Sequence, residues 1–396
     1  MKKVLFVVPQ NLLQSPTGTN VRILQIIDII KEMGYEVDQF GYDNFHDNVS
    51  FADFEEKNKE RQAISRLHLY DFKNDIFFNN KLLKQLLHWA RMLRGMYIPS
   101  WVTPAARKKF HQVIDSEDYE AIVVLYSYLV PLLQKKDIKA RKIYFMEDSI
   151  FFQQSYVERR SRFSLTTAGK LLDSDLELMK LFDVTVCISK DEQLFYQRML
   201  GDSVKFIPHL MQKQPEKIQK PVPKRKWDAF FIGFANSYNE EGIQWFLEKV
   251  YPHLDKNLKI LLGGSATKCI ESHYDNVETI SFIEDLDAAY EDVKVVLCPM
   301  LRGTGMKIKV VEALARGLPV VCTDRGVDGL PDKTLGGCLA TQDPVEFAGY
   351  INRLCADPEF YNTMSDRAWQ YYTETFDKDR YVQVLKKALQ SDIRGD

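Results

Sequence analysis

The stretch Arg302-Gly303-Thr304-Gly305-Met306-Lys307-Ile308-Lys309-Val310-Val311-Glu312-Ala313-Leu314-Ala315-Arg316-Gly317 constrains this chain more than any other. Before it, Val293–Cys298 is a β-branched apolar run that reads as a buried strand, and after it Leu318–Thr323 reads as the next one. Between them Met306, Val310, Ala313 and Leu314 recur at helical spacing, and Gly317 stops the helix. Strand, glycine loop, helix, strand is the layout of a phosphate site in an open parallel sheet. Gly303 and Gly305 let the backbone approach a bulky anion, and the helix start offers N–H groups and a partial positive charge. Lys307 and Lys309 add full charges close by. The spacing matches neither a Walker loop nor a dinucleotide G-x-G-x-x-G. A plain turn followed by two solvated lysines would use the same residues. What favours the ligand is Glu312, one turn beyond Lys309 in an otherwise apolar helix. Buried without partners a carboxylate is costly, and here it could accept hydrogen bonds from two ribose hydroxyls.

The run Gly303–Gly317, followed by Pro319-Val320-Val321 and by Gly326 to Leu330, resembles the donor-binding signature of GT-B glycosyltransferases of the GT4-like group. That pattern is roughly G-x-G-x-K-x-K-x-x-E-A-x-A-x-G-x-P-V-V. The resemblance implies an α/β fold of two Rossmann-like, doubly wound domains facing across a cleft. It implies a nucleotide-sugar donor (UDP- or GDP-linked), with Glu312 on the ribose and Gly303, Thr304, Gly305, Met306, Lys307 and Lys309 around the diphosphate. Many members carry a second glutamate eight positions earlier, where this chain has Thr304; in the pattern that acid touches the sugar or assists the reaction centre.

Length allows two domains: 396 residues are enough for two ordinary cores. The expected division is 1–210 for the acceptor and 211–377 for the donor, with a last helix in 378–396 that, by the resemblance, packs back on the first domain. Gln212–Arg225, rich in Lys, Gln and Pro, reads as the linker. A net charge of −2 gives no argument for nucleic acid. Six cysteines without a C-x-x-C pair, several inside apolar strands, read as reduced core residues of a cytoplasmic protein. The apolar run after Met1-Lys2-Lys3 ends at Pro9, too early for a signal peptide, and no stretch reaches transmembrane length.

The first half opens as strand (Val4–Val8), polar loop, helix (apolar face Val21, Leu24, Ile27, Ile30) and strand (Tyr35–Phe40), a βαβ start that implies a parallel sheet. Gly18 and Thr19 lie in that polar loop, at the sheet edge where such folds bind ligands; a simple turn into the helix is the other reading. About Asp43–Asn80 shows no clear period. Residues 81–101 place Leu82, Leu83, Leu86, Leu87, Ala90 and Leu93 on one stripe, with Lys84, His88, Arg91 and Arg94 opposite, and add Trp89, Tyr97 and Trp101. That is the make-up of a peripheral membrane contact or of an ordinary surface helix. The first of these would put the protein at the inner face of the cell membrane.

Strands at Ala121–Leu125 and Lys142–Met146 follow, the second leading into Glu147 and Asp148. A carboxylate at this edge could take the proton of an attacking acceptor hydroxyl, or Asp148 and Ser149 could cap the next helix. Arg159, Arg160 and Arg162 could meet an anionic acceptor or water. His209 follows Pro208 where the family has Pro-Asn, as an acceptor-side residue or as hinge packing. In the second half Gly233 and Asn236 follow the strand Ala229–Ile232, and the resemblance brings that loop toward the donor phosphates; Gly263, after Lys259–Leu262, marks another strand-then-glycine edge on the donor side. The Arg and Lys pair usual near the first loop is missing, which leaves more of the charge to Lys307 and Lys309. Asp173-Ser174-Asp175 falls inside a helix pattern and Asp285-Leu286-Asp287 at a helix start, so neither reads as a metal motif, and the mechanism is expected to need no metal or other cofactor.

The function expected is transfer of a sugar from its nucleoside diphosphate to a hydroxyl of a glycan or lipid-linked glycan. Two readings compete with it: a sugar-nucleotide epimerase of the same fold, and a catalytically silent nucleotide-binding homologue, which Thr304 keeps open.

Overall fold

The computed structural model describes residues 2–14, 18–44, 50–72, 75, 80, 82–83, 85–86, 100–134, 137–147, 149–157, 164–211, 216–333 and 336–390. The chain divides into two compact units, Met1–Ile207 with the segment from Asp379 onward, and Pro208–Lys378.

The first unit is built on β1 (Lys2–Val7), β2 (Tyr35–Asp43), β3 (Arg66–Asp71), β4 (Tyr119–Val124), β5 (Arg141–Met146), β6 (Val184–Cys187) and β7 (Val204–Phe206). They form one seven-stranded sheet in the order β3-β2-β1-β4-β5-β6-β7, with every neighbouring pair parallel. Parallel strands need crossover connections that cover both faces of the sheet, so the central strands are apolar almost throughout. One face packs Leu5, Val7, Phe40, Ile122, Val124 and Met146 against Phe110 and Leu178.

The second unit repeats the plan with β8 (Trp227–Ile232), β9 (Ile260–Gly263), β10 (Val277–Ile280), β11 (Val293–Cys298), β12 (Val320–Cys322) and β13 (Cys338–Ala340). Its order is β10-β9-β8-β11-β12-β13, again parallel throughout. Phe231, Leu262, Val295, Leu297 and Val321 meet Ile243, Phe246, Phe347 and Ile351 from the covering helices. In each sheet the winding reverses once, between β1 and β4 and between β8 and β11. The C-terminal ends of those strand pairs are where open α/β sheets leave a crevice.

Several elements differ from their sequence expectation. The unperiodic stretch 43–80 holds a helix, Phe54–Arg61, and β3. β3 is an edge strand, only partly buried at Leu67–Tyr70, so it needs no continuous apolar run. The helix Pro104–Ser116 is new, although its start follows the rules: Thr103 accepts the Ala106 N–H at 3.1 Å and proline occupies the first turn. In the helix Gly18–Glu32 the buried set is Asn20, Arg22, Ile23, Gln25, Ile26, Ile27, Ile29 and Ile30, while Val21 and Leu24 are only half-buried. The helix is covered over more than one stripe, so the buried face is broader than the expected Val21–Leu24–Ile27–Ile30 line and is displaced from it. The helix Lys378–Leu389 belongs to the first unit from Asp379 on, where the Tyr381 ring meets Phe206 edge-on at 5.8 Å.

Among the described residues no helix is long and apolar enough to cross a membrane. Most of the 81–101 stretch lies outside those residues; Leu82 and Leu86, which are described, are exposed by 70% and 64%.

Candidate functional site

The crevice of the second sheet is walled by the loop after β8 and the loop after β11. Gly303 and Gly305 adopt φ of +98° and +76°, a region that side chains rarely tolerate, and this bends the chain Arg302–Lys307 back before the helix Ile308–Leu314. That helix is shorter than its periodicity predicts. Met306 lies in the loop, buried, and the helix closes with a Schellman turn: Gly317, at φ +67°, donates to Leu314 O and Leu318 to Ala313 O, both at 3.0 Å. No side chain caps the helix start. Val310 and Val311 both donate to Lys307 O, and the Ile308 and Lys309 amides meet no protein acceptor among the described residues.

Lys307 and Lys309 take different positions. The Lys307 ammonium folds back on its own loop and donates to Thr304 O at 3.2 Å and Gly305 O at 2.8 Å. It therefore holds the glycine turn in shape. The Lys309 ammonium instead donates to Asn239 Oδ1 at 3.0 Å and stands 3.9 Å from the centroid of the Phe231 ring. Desolvation by the surrounding protein pushes its pKa down to about 8, against the pull of Glu312 and the Cys298 thiol, and the Lys307 charge lowers it further.

Glu312, three residues along the same helix face, is half-buried. Its Oε2 accepts from the fully buried Tyr290 hydroxyl at 2.9 Å, and Oε1 has no protein donor among the described residues. Burial raises its pKa, and the Tyr290 hydrogen bond and the nearby Arg316 offset part of that. Arg316 lies 4.5 Å over the Tyr290 ring, donates to Glu312 O at 2.9 Å and pairs with Asp287. Asp285 caps the helix Leu286–Glu291 by accepting from Ala288 N at 2.9 Å. Both acids of that D-x-D thus have protein partners.

Around the first loop, Gly233 is buried and donates to Gly263 O at 3.0 Å. Asn236 caps the helix Ser237–Trp245 with its side chain, accepting from Asn239 N at 2.9 Å. Gly263 is buried in the sheet, where an added Cβ would stand 2.6 Å from Ile283, so close packing there requires glycine. Gly329, φ +82°, lets the loop after β12 approach the Gly305–Met306 backbone, since a Cβ there would lie 2.9 Å from Met306 N.

Of the candidates from the first half of the sequence, Glu147 is tied through Arg22 to the helix that Gly18 and Thr19 begin. Gly18 is exposed and Thr19 half-buried at the start of the first helix. Glu147 pairs with Arg22, both nearly buried, and Arg22 also donates to Ile207 O at 3.2 Å. Burial raises the Glu147 pKa, and Arg22 offsets part of that rise. Asp148, Arg159, Arg160 and Arg162 lie outside the described residues. His209 is fully buried, in the second unit. Asp175 of the other D-x-D accepts from Ser149 Oγ (3.0 Å), Tyr196 OH (2.9 Å) and Phe151 N (3.2 Å), while Asp173 is exposed, so the two carboxylates do not converge. Among the described residues no cluster of three or more His, Cys, Asp or Glu is placed to hold a metal ion.

Sequence reasoning passed over Phe231, Asn239, Tyr290 and Arg22. Asn239 carried a faint signal, a polar residue at the third position after the Asn236 cap. Phe231 and Tyr290 look like ordinary core residues, and Arg22 like a solvated helix charge.

Comparison with known proteins bears on the fold and on the second unit. Residues 228–357, most of the second unit, match the family model described as Glycosyl transferases group 1. An uncharacterised 44.6 kDa protein in the cps region of Klebsiella pneumoniae is 21% identical over 93% of this chain and 95% of its own length. Among solved structures, an S. aureus TarM mutant in complex with fondaparinux, alpha-GlcNAc-glycerol and UDP superposes with a TM-score of 0.69 at 11% identity, covering 99% of this chain and 100% of that one. Anabaena HepE in complex with UDP and glucose gives 0.63 at 15% identity over 98% and 99%. The chain is a glycosyltransferase of the GT-B fold with a group 1 domain in its second unit.

Proposed function

We propose that the second unit holds a UDP-sugar, or the GDP equivalent, and that the enzyme transfers the sugar to a hydroxyl of a glycan or lipid-linked glycan. The observation that carries this reading is the placement of Lys309 and Glu312 on one helix face beside the glycine turn, the first with no carboxylate in contact with its ammonium among the described residues and the second with one oxygen unengaged by them. Lys309 and the Ile308 and Lys309 amides would bind the diphosphate, and Glu312 Oε1 would accept from the ribose. Tyr290 holds the other oxygen, so the carboxylate is oriented before the ligand arrives.

As the glycosidic bond to the donor breaks, negative charge grows on the departing phosphate oxygen. Preorganised N–H groups and an ammonium stabilise that charge more than they stabilise the ground state, and one such donor is worth about 2.7–4 kcal/mol in comparable sites. In this reading the charge comes from the protein, without a metal. Glu147 is held by Arg22 and is a poor candidate to receive the acceptor's proton, which leaves Asp148 as the acid to test at that edge. The UDP of the HepE and TarM complexes supports uridine as the base, and the cps-region relative supports polysaccharide biosynthesis. The exposed pair Leu82 and Leu86 supports a lipid surface as the place of the acceptor.

The test is release of nucleoside diphosphate from a panel of UDP-, GDP- and dTDP-sugars with and without a lipid extract. Acceptor-dependent release is the expected result. Interconversion of the sugar nucleotide would mean an epimerase, and binding without turnover a silent homologue.

A further inference from the structure

We propose that Asn239 is a positioning residue for this reaction, fixing the Lys309 ammonium beside the glycine turn with a neutral oxygen so that the lysine charge is left over for an anionic ligand. The proposal rests on the reading of Lys309 as a diphosphate contact, and goes beyond it by naming what makes that contact effective.

Asn239 sits on the helix that follows β8, and Lys309 on the helix that follows β11, so their hydrogen bond crosses the point where the winding reverses. The amide has only one workable orientation. Nδ2 donates to Phe234 O at 2.9 Å, and an ammonium has no acceptor to offer, so Oδ1 must face Lys309. The backbone of Asn239 is held as well, by the Asn236 side chain. Beneath, Gly233 leaves the space this arrangement needs: a Cβ there would stand 2.8 Å from the Phe231 ring and 2.9 Å from the Asn239 amide carbon. Phe231, Gly233 and Asn239 thus form one seat for one ammonium.

The charged and titratable groups facing Lys309 are few. Cys298 ends β11 beneath it, Lys307 comes from the loop, and Glu312 lies one turn on along the helix. The Cys298 thiol is pushed up by burial and stays neutral. Glu312 is shared with Tyr290 and Arg316. An aspartate at 239 would give Lys309 a full counter-charge and cancel the local field, whereas the neutral amide gives geometry without neutralisation.

The experiment is calorimetric titration of the full chain with UDP, GDP and dTDP from pH 6.5 to 9.5, for the wild type and for Asn239→Asp, Asn239→Ala and Lys309→Arg, each checked by thermal melting. Wild-type affinity should fall above about pH 8, approaching about tenfold per pH unit as Lys309 loses its proton. Asn239→Asp should bind about tenfold or more weakly at pH 7, with the alkaline limb moved up by about one unit or more. Asn239→Ala should move the limb down, because the charged lysine loses an acceptor, and Lys309→Arg should abolish it. Opposite shifts in two folded variants are not what a merely structural role produces. If wild type binds and both Asn239 variants keep its affinity and its limb, the positioning role is wrong while the donor reading stands. If wild type binds none of the three nucleotides, the donor reading falls and this proposal with it.

Discussion

Arg22 in the first unit and Lys309 in the second are both cations on the helix that follows a strand flanking a switch point, and the two units treat them in opposite ways. Arg22, with 1% of its side chain exposed, is met by the Glu147 carboxylate and the Ile207 carbonyl, and it lies 5.7 Å over the Phe145 ring. Its charge is consumed inside the protein. Lys309 is met by a neutral amide and an aromatic face, and its charge is not consumed. A buried ion pair is a structural tie whose removal on one side leaves an uncompensated charge. A desolvated cation without a carboxylate in contact is instead a standing cost, reasonable only where a ligand supplies the missing anion.

Three measurements would break or sharpen this contrast. The largest effect is expected from Arg22→Met, which strands Glu147 and should lower folding stability by about 3–5 kcal/mol near neutral pH, read by denaturant unfolding. Glu147 already has a raised pKa, so its folded form favours the proton; that contribution is present below its unfolded pKa and is lost as pH rises through the folded one. The deficit of Arg22→Met should therefore shrink on acidification, and Arg22→Met with Glu147→Leu should recover most of it. A deficit independent of pH would mean that Arg22 matters through packing alone.

Next in size is Lys309→Met. Turnover should fall by about 2.7–4 kcal/mol in activation free energy, while the folded state should gain stability because a desolvated charge is removed. The sign follows from the depressed pKa. Between about pH 8 and the ordinary lysine value the unfolded chain binds more protons than the folded one, so wild-type stability climbs with pH across that window. The advantage of Lys309→Met should be greatest below pH 8 and fade above it, with about 2–4 °C of melting temperature per kcal/mol for a unit of this size. A variant that melts lower than wild type at neutral pH would show that Lys309 is structurally integrated after all.

The smallest effect is expected from Tyr290→Phe. It removes the hydroxyl that holds Glu312 Oε2, and a hydrogen bond to a charged group is worth about 1.5–3 kcal/mol. Affinity for UDP should drop while affinity for a deoxyribose analogue changes less, as competition calorimetry would show. Equal losses for both would detach Glu312 from the ribose.

Most strands of the central sheets, the glycine turn and the helix carrying Lys309 and Glu312 were legible in the chain because each rests on local rules. β11, for instance, spans Val293–Cys298 as its β-branched run predicts. β3 was not legible, because an edge strand half open to water needs neither a period nor an apolar run. Lys307 and Lys309 looked equivalent two residues apart, yet one side chain closes on carbonyls of its own loop and the other reaches a helix seventy positions away in sequence. Nothing in their spacing separates those outcomes. Asn239 and Arg22 went unnoticed for the same reason, since the partners that give them meaning are brought by the sheet.

What the amino-acid order determined alone is the two-fold repetition of a parallel α/β unit and the place of the glycine turn, since backbone preference and apolar periodicity act over a few residues at a time. Which cation is neutralised and which keeps its charge was decided only when β1, β4 and β5 came together in one sheet and β8 and β11 side by side in the other. Electrostatic fate depends on burial and on the nearest oxygen, and both are properties of packed space.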